Sequence, residues 1–228
     1  MDRAGIVGGD GPTHHGLLDI AYLRGVPNMI LMAPKDEAEM RDMLLTAIEH
    51  QGPIALRYPR GNGLGVPCDR PPQTLEIGKA ELLRDSNNGE VAIIAYGSMV
   101  HPSLKAAEQL AKEGIETTVV NARFVKPLDA GLLLAIARTK RLIVTVEEAY
   151  LAGGFGSAIM ELLEENGLQD KVRVLRMGVP DRLVMHGDPK LLLAKYGLDA
   201  DGIYTRVKEG IEFLEERRAR GMRPSLHG

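Results

Sequence analysis

Residues 142–165 read Leu142-Ile143-Val144-Thr145-Val146-Glu147-Glu148-Ala149-Tyr150-Leu151-Ala152-Gly153-Gly154-Phe155-Gly156-Ser157-Ala158-Ile159-Met160-Glu161-Leu162-Leu163-Glu164-Glu165. The first five are a short, β-branched-rich apolar run of the kind that fills a buried strand. Phe155, Ile159, Leu162 and Leu163 then recur at helical spacing, which predicts a helix over about 155–165. Glycines join the two. Strand, turn and helix in that order are the repeating unit of an α/β protein, and the pattern recurs in both directions. Upstream, 91–96 and 117–121 read as strands. Leu104, Ala107 and Ala111 give one intervening helix its inner face, and 128–137 reads as another helix. Downstream, 172–176 closes the strand list. Ile203, Val207, Ile211 and Leu214 stripe a last helix that runs into the charged stretch 215–220. Strands separated by helices imply right-handed crossovers and a mostly parallel sheet.

Towards the N-terminus the pattern thins. Residues 6–16, rich in Gly and polar side chains, read as a loop, and the apolar run 27–34, bounded by prolines, reads as a buried strand. A helix follows whose expected buried stripe is Met40, Met43, Leu44, Ala47 and Ile48, with Asp36 and Glu39 spaced for a variant capping box. A second strand over 53–58 ends at Pro59-Arg60-Gly61, and the Gly- and Pro-rich stretch 61–74 marks a linker. Two strands and one full helix are few for a parallel layer covered on both faces. The expectation is that a partner chain completes this region or that the chain begins inside a domain. Residues 29–32 would then be under-covered, with the C-terminal domain as the stable unit.

Of 228 residues, 44% are hydrophobic and 26% charged, with a formal net charge of -3. This balance suits a globular core and supplies no positive field for nucleic acid or an anionic membrane surface. Aromatics at 4% and the absence of Trp argue against a base-stacking surface. One cysteine, Cys68, excludes an internal disulfide framework and a cysteine-rich metal site. No apolar run approaches bilayer length and the first residues lack a secretory h-region, so a soluble, cytoplasmic setting is expected.

Three clusters could carry chemistry. Asp10-Gly11-Pro12-Thr13-His14-His15-Gly16 holds a carboxylate and an imidazole in a constrained loop, suited to sugar hydroxyls and proton exchange at a pocket rim. An Asx-type turn with a solvated histidine has the same spacing, and it is the commoner arrangement. Arg57-Tyr58-Pro59-Arg60-Gly61 places two arginines at a strand end, where they either fork onto a phosphate or carboxylate or make ordinary surface pairs. Side-chain alternation need not point them the same way. Gly153-Gly154-Phe155-Gly156-Ser157 could present a helix N-terminus to an anion, but close packing of helix on sheet is the favoured reading. No His-x-x-x-His pair and no Gly-x-Ser-x-Gly elbow occurs.

Taken together these segments resemble one family. Residues 2–8, Asp10 to Gly16, Asp19, Tyr22-Leu23, 27–29, 33–36 and Arg57 to Gly61 are similar to the substrate-side stretch of the 1-deoxy-D-xylulose-5-phosphate synthase family of transketolase-like enzymes. Val146-Glu147-Glu148, Gly153 to Ser157, Gly178-Val179-Pro180-Asp181 and His186-Gly187 resemble its C-terminal domain. Transketolases share the Asp-Gly-Pro-Thr-His core, but Asp2 to Gly5 and Arg57 to Gly61 lie closer to the synthase pattern. The β subunits of 2-oxo-acid dehydrogenases share the paired glutamates and glycine turn, not the loop.

The resemblance implies an α/β architecture in three parts. Residues 1–62 would be the C-terminal part of a pyrimidine-binding domain, 63–74 a linker, and 75–228 a transketolase C-terminal-like domain. It implies condensation of pyruvate with D-glyceraldehyde 3-phosphate, with loss of carbon dioxide, by a homodimer using thiamin diphosphate and Mg2+. Arg3 and Arg60 would hold the aldehyde's phosphate and Asp10 its hydroxyl end, with His14 beside the reacting carbons; Arg57 and His15 carry no such role. The family's Gly-Asp-Gly diphosphate motif with its following Asn is missing. The single Gly-Asp-Gly, at Gly9-Asp10-Gly11, belongs to the sugar loop. The family's activating glutamate would lie upstream of Asp2. No cofactor is therefore expected to bind this chain, which should be inactive alone. Two rivals stand beside this reading: a separate subunit of a split transketolase-type enzyme, and a non-enzymatic anion-binding module.

Overall fold

The structure is a computed structural model that describes residues 1–219; the Arg220 end of the predicted charged stretch lies outside the described residues. In chain order the elements are α1 (Asp19–Arg24), β1 (Ile30–Met32), α2 (Glu37–Glu49), β2 (Ile54–Leu56), β3 (Glu81–Arg84), β4 (Val91–Ala95), α3 (Val100–Lys112), β5 (Thr117–Asn121) and β6 (Phe124–Lys126). After these come α4 (Ala130–Thr139), β7 (Leu142–Tyr150), α5 (Phe155–Glu165), β8 (Arg173–Val179), α6 (Pro189–Lys195) and α7 (Ala200–Ala219).

The main sheet has the order β3-β5-β4-β7-β8, parallel throughout except for the antiparallel edge strand β3. Alternation along its strands feeds two cores. Ile93, Val119, Val144 and Val146 face α3 and α7, burying Ala107, Leu110, Ile203 and Val207. Ala92, Ile94, Val120 and Ile143 face α4, α5 and α1, burying Leu133, Phe155, Ile159 and Ile20. No helix among the described residues is long and apolar enough to cross a membrane.

The second sheet corrects the strand count made from sequence. Its order is β2-β1-β6, and β6 comes from beyond the predicted linker to pair antiparallel with β1. Ile30, Leu31 and Met32 are fully packed within one chain, against Met43 and Phe124 or the main-sheet core, so the expected under-covered face is absent there. β3 and β6 escape sequence reading because each is a short edge segment without clean alternation.

Helix α2 corrects the predicted stripe. Met43 is buried, but Leu44 and Ile48 are exposed, and the inward face is carried by Glu39, Asp42 and Thr46. These polar groups are buried because each meets a partner. Asp36 caps the helix by accepting from Glu39 N–H at 2.9 Å, while Glu39 reaches back to Lys35 N–H and takes the Asn121 amide and the Arg123 guanidinium. Asp42 pairs with Arg70 and accepts from Gln73 N–H, and Thr46 Oγ1 accepts from Leu75 N–H. The stretch read as a linker is thus strapped along α2, whose polar face satisfies its backbone. In α3 the inward face is Ser103, Ala106, Ala107 and Leu110; of the predicted Leu104–Ala107–Ala111 face, Ala107 is buried, Leu104 packs against the core from its edge and Ala111 is half-buried.

Candidate active-site loop

Gly5 and Gly16 close a loop at its neck. Gly5 N–H donates to the Gly16 carbonyl at 2.8 Å and Gly16 N–H returns a bond to the Gly5 carbonyl at 2.9 Å. Neither position has room for a side chain: a Cβ on Gly5 would enter the Glu148 carboxylate and one on Gly16 the Arg3 carbonyl. Within the loop, Gly8–Asp10 form a 3-10 turn, and His14 N–H donates to the Gly11 carbonyl at 3.0 Å. Asp10 and His14 are both exposed on this loop, and the His14 Nδ1 lies 2.9 Å from Thr13 Oγ1. His15 turns inward instead and accepts from Val7 N–H through Nδ1 at 3.1 Å.

The end of β2 brings the second cluster to the same place. The chain's first residues run beside it: Met1 carbonyl accepts from Tyr58 N–H, and Ala4 N–H donates to the Tyr58 carbonyl, both at 3.0 Å. Arg3 is held there, exposed. Arg60 forms an ion pair with Asp10, both side chains partly exposed. The structure therefore joins Asp10 to Arg60, keeps His14 on the same loop and sets Arg3 next to its neck. Arg57 points the other way, into the protein, where it is 2% exposed.

The underside of the loop is a buried charge cluster around Arg57, a residue to which the resemblance gives no substrate role. Arg57 Nε donates to Asp19 Oδ2 at 2.7 Å, and its Nη2 donates to the carbonyls of Gly16 and Glu148, both at 3.2 Å. The Glu148 carboxylate accepts from Ile6 N–H and from Ser98 Oγ–H, both at 2.7 Å. Burial pushes Glu148 above the ordinary carboxylate range, while those two donors and Arg57 pull it back. The sequence signal was available: two adjacent acids, Glu147-Glu148, inside an otherwise apolar buried strand need partners.

Glu147 settles the glycine turn. Its carboxylate accepts from Phe155 N–H at 2.6 Å and Gly156 N–H at 2.8 Å, so the α5 N-terminus is already met by a carboxylate of the chain itself. A Cβ at Gly154 would collide with Glu147, and one at Gly156 would lie 2.7 Å from Thr145 Oγ1. Close packing, not anion capture, accounts for these glycines. Burial raises the Glu147 pKa to about 7 against the lowering effect of its two N–H donors. A third segment closes on the loop: Gly187 N–H donates to the Gly8 carbonyl at 3.2 Å, and His186 sits against Gly11.

Among the described residues no three His, Cys, Asp or Glu side chains converge as a metal site. Asp10, the acid of the sequence's Gly-Asp-Gly, lies on the substrate-like loop beside Arg60 with no second carboxylate or amide converging on it among the described residues. The described residues do not fit a magnesium–diphosphate group.

The family described as the transketolase C-terminal domain matches residues 78–203, and the transketolase pyrimidine binding domain matches 1–64. The chain is 59% identical over 208 residues to 1-deoxy-D-xylulose-5-phosphate synthase 1 of Geobacter metallireducens, covering 91% of this chain and 33% of that protein. It is 56% identical to the synthase of Synechococcus sp. (strain JA-3-3Ab), covering 96% and 33%. The chain thus spans about a third of the length of these relatives. Among solved structures, a split gene transketolase described as an inactive beta4 tetramer matches with a TM-score of 0.75 at 34% identity, over 87% of this chain and 62% of that one. A transketolase from Campylobacter jejuni, at 20% identity and TM-score 0.66 over 92% of this chain and 30% of that one, shares the fold.

Proposed function

The chain belongs to the family of transketolase C-terminal domains, and from that membership we propose that it is the C-terminal part of a 1-deoxy-D-xylulose-5-phosphate synthase. The whole enzyme would join pyruvate to D-glyceraldehyde 3-phosphate, release carbon dioxide and give 1-deoxy-D-xylulose 5-phosphate. The observation that carries this reading is the Asp10–Arg60 pair on the rim that also holds His14. An arginine fork suits a phosphate dianion, a carboxylate accepts from a sugar hydroxyl, and an imidazole exchanges protons near neutral pH. Arg60, aided by Arg3, binds the aldehyde's phosphate; Asp10 accepts from its hydroxyl; His14 serves the proton traffic at the reacting carbons.

The family implies thiamin diphosphate, which supplies the carbanion chemistry in the whole enzyme. Residues 1–62 serve as the tail of the pyrimidine-binding domain, 63–74 as the linker and 75–228 as the C-terminal domain. The whole enzyme works as a cytoplasmic homodimer. A second reading is favoured by the 34% identity to a split gene transketolase: a subunit that pairs with a separately encoded half. Two measurements test these readings. Calorimetry on the 228-residue chain should find no micromolar, magnesium-dependent binding of thiamin diphosphate, and the longer polypeptide should form the product from both substrates. Activity that appears only on mixing this chain with a second polypeptide would select the split enzyme.

A further inference from the structure

Arg57 and Glu148 stand under the loop from opposite sides of its neck. Arg57 holds the Gly16 end through the Gly16 carbonyl, and Glu148 holds the Ile6 end through that residue's N–H. They also hold one another, since Arg57 Nη2 donates to the Glu148 carbonyl. Asp19 fixes the guanidinium and Ser98 fixes the carboxylate. Arg57 lies at the end of β2, three positions before Arg60, so one anchored residue sets both the segment carrying Arg60 and the loop carrying Asp10 and His14. Both acids, Asp19 and Glu148, and the arginine would be costly to bury without these bonds, which run to the loop neck, to Ser98 and to one another.

We propose that Arg57 and Glu148 are positioning residues that fix the loop 5–16, so that Asp10, Arg60 and His14 meet the phosphorylated aldehyde in register. The proposal rests on the function reading above. Neither residue touches substrate. Their effect is on geometry, and small displacements at a reacting centre can cost about 100-fold in rate or affinity.

Two arms test it. In the 228-residue chain, Glu148→Ala should speed hydrogen exchange at Ile6, Val7 and Gly16 by about tenfold or more while the amides of β4 and β5 keep their protection. Glu148→Gln, which still accepts from Ile6 N–H, should restore the loop. In the longer, active polypeptide the same Ala change should raise KM for the aldehyde phosphate by about 10- to 100-fold and leave KM for pyruvate within about threefold, with rescue by Gln. If Glu148→Ala or Arg57→Ala fails to fold, Ser98→Ala loosens the same carboxylate more gently and should show the same pattern in reduced form. Loop and sheet amides that lose protection together in the Glu148→Ala chain would overturn the proposal, because the role of that carboxylate would then be global stability. So would a loosened loop with both Michaelis constants unchanged in an active enzyme. If the unsubstituted longer polypeptide makes no product, the function reading has failed, and the exchange arm alone decides whether Arg57 and Glu148 hold the loop.

Discussion

Arg60 and Asp10, far apart in sequence, form an ion pair at the loop rim with 53% and 31% of their side chains exposed. An exposed pair of this kind contributes little to stability, about 0–1 kcal/mol, so its residues can be spent on a ligand instead. In the whole enzyme proposed above, Arg60→Ala should raise KM for the phosphorylated aldehyde far more than for pyruvate. Losing a charge-assisted contact costs about 1.5–3 kcal/mol, or roughly 10- to 150-fold. Melting of the 228-residue chain should be unmoved. Equal rises in both Michaelis constants would remove Arg60 from the phosphate site.

The Arg57–Asp19 pair should behave oppositely. Both residues are 2% exposed, and removing one partner of a buried pair leaves an uncompensated charge at a cost of about 3–5 kcal/mol. Arg57→Met should therefore lower the denaturant midpoint strongly. The double change Arg57→Met with Asp19→Leu should cost less than the sum of the two single changes. Additive costs would show that the two side chains are not coupled.

Glu147 gives the chain a pH signature. Its pKa stands at about 7 in the folded state against 4.5 as the ordinary value. The folded protein then binds more protons than the unfolded one between those values, so this group's contribution is full below pH 4.5 and is lost as pH rises through 7. The span corresponds to about 3 kcal/mol. Stability of the Glu147→Gln chain should lack that fall, as measured by urea unfolding across the window. Parallel pH profiles for the two proteins would show that Glu147 is charged throughout.

Helix α2 separates burial from pattern. Met43→Ala should cost about 2–5 kcal/mol, whereas Leu44→Ala and Ile48→Ala, on the exposed side, should stay within about 0.5 kcal/mol. Comparable losses at all three would restore the apolar-stripe reading.

The Glu39 cluster ties the first sixty residues to the main sheet. Lys35 and Glu39 meet Glu81, Asn121 and Arg123 from beyond residue 74. Amides of β1 should accordingly be protected with those of β4, and Glu39→Ala should release β1 first. Fast exchange over 30–32 in the unsubstituted chain would instead make residues 75–219 the stable unit.

The sequence by itself determined the α/β class, because period-2 and period-3.6 apolar patterns reach the surface of the sequence wherever an element is long and packed on one side. The helix over 155–165 and the strand over 117–121 were legible for that reason, and α5 and β5 have those limits. Asp10, His14 and Arg60 stand out as candidates because short motifs carry them, and the fold brings Asp10 and Arg60 together. Tertiary structure alone decided the rest. It paired β6 with β1 and turned Leu44 and Ile48 outward. It also set Arg57 and Glu148 beneath the loop. Each of these depends on a partner far along the chain. A buried polar group looks like a surface group in sequence until its hydrogen-bonding partner is known, and only the folded chain supplies that partner.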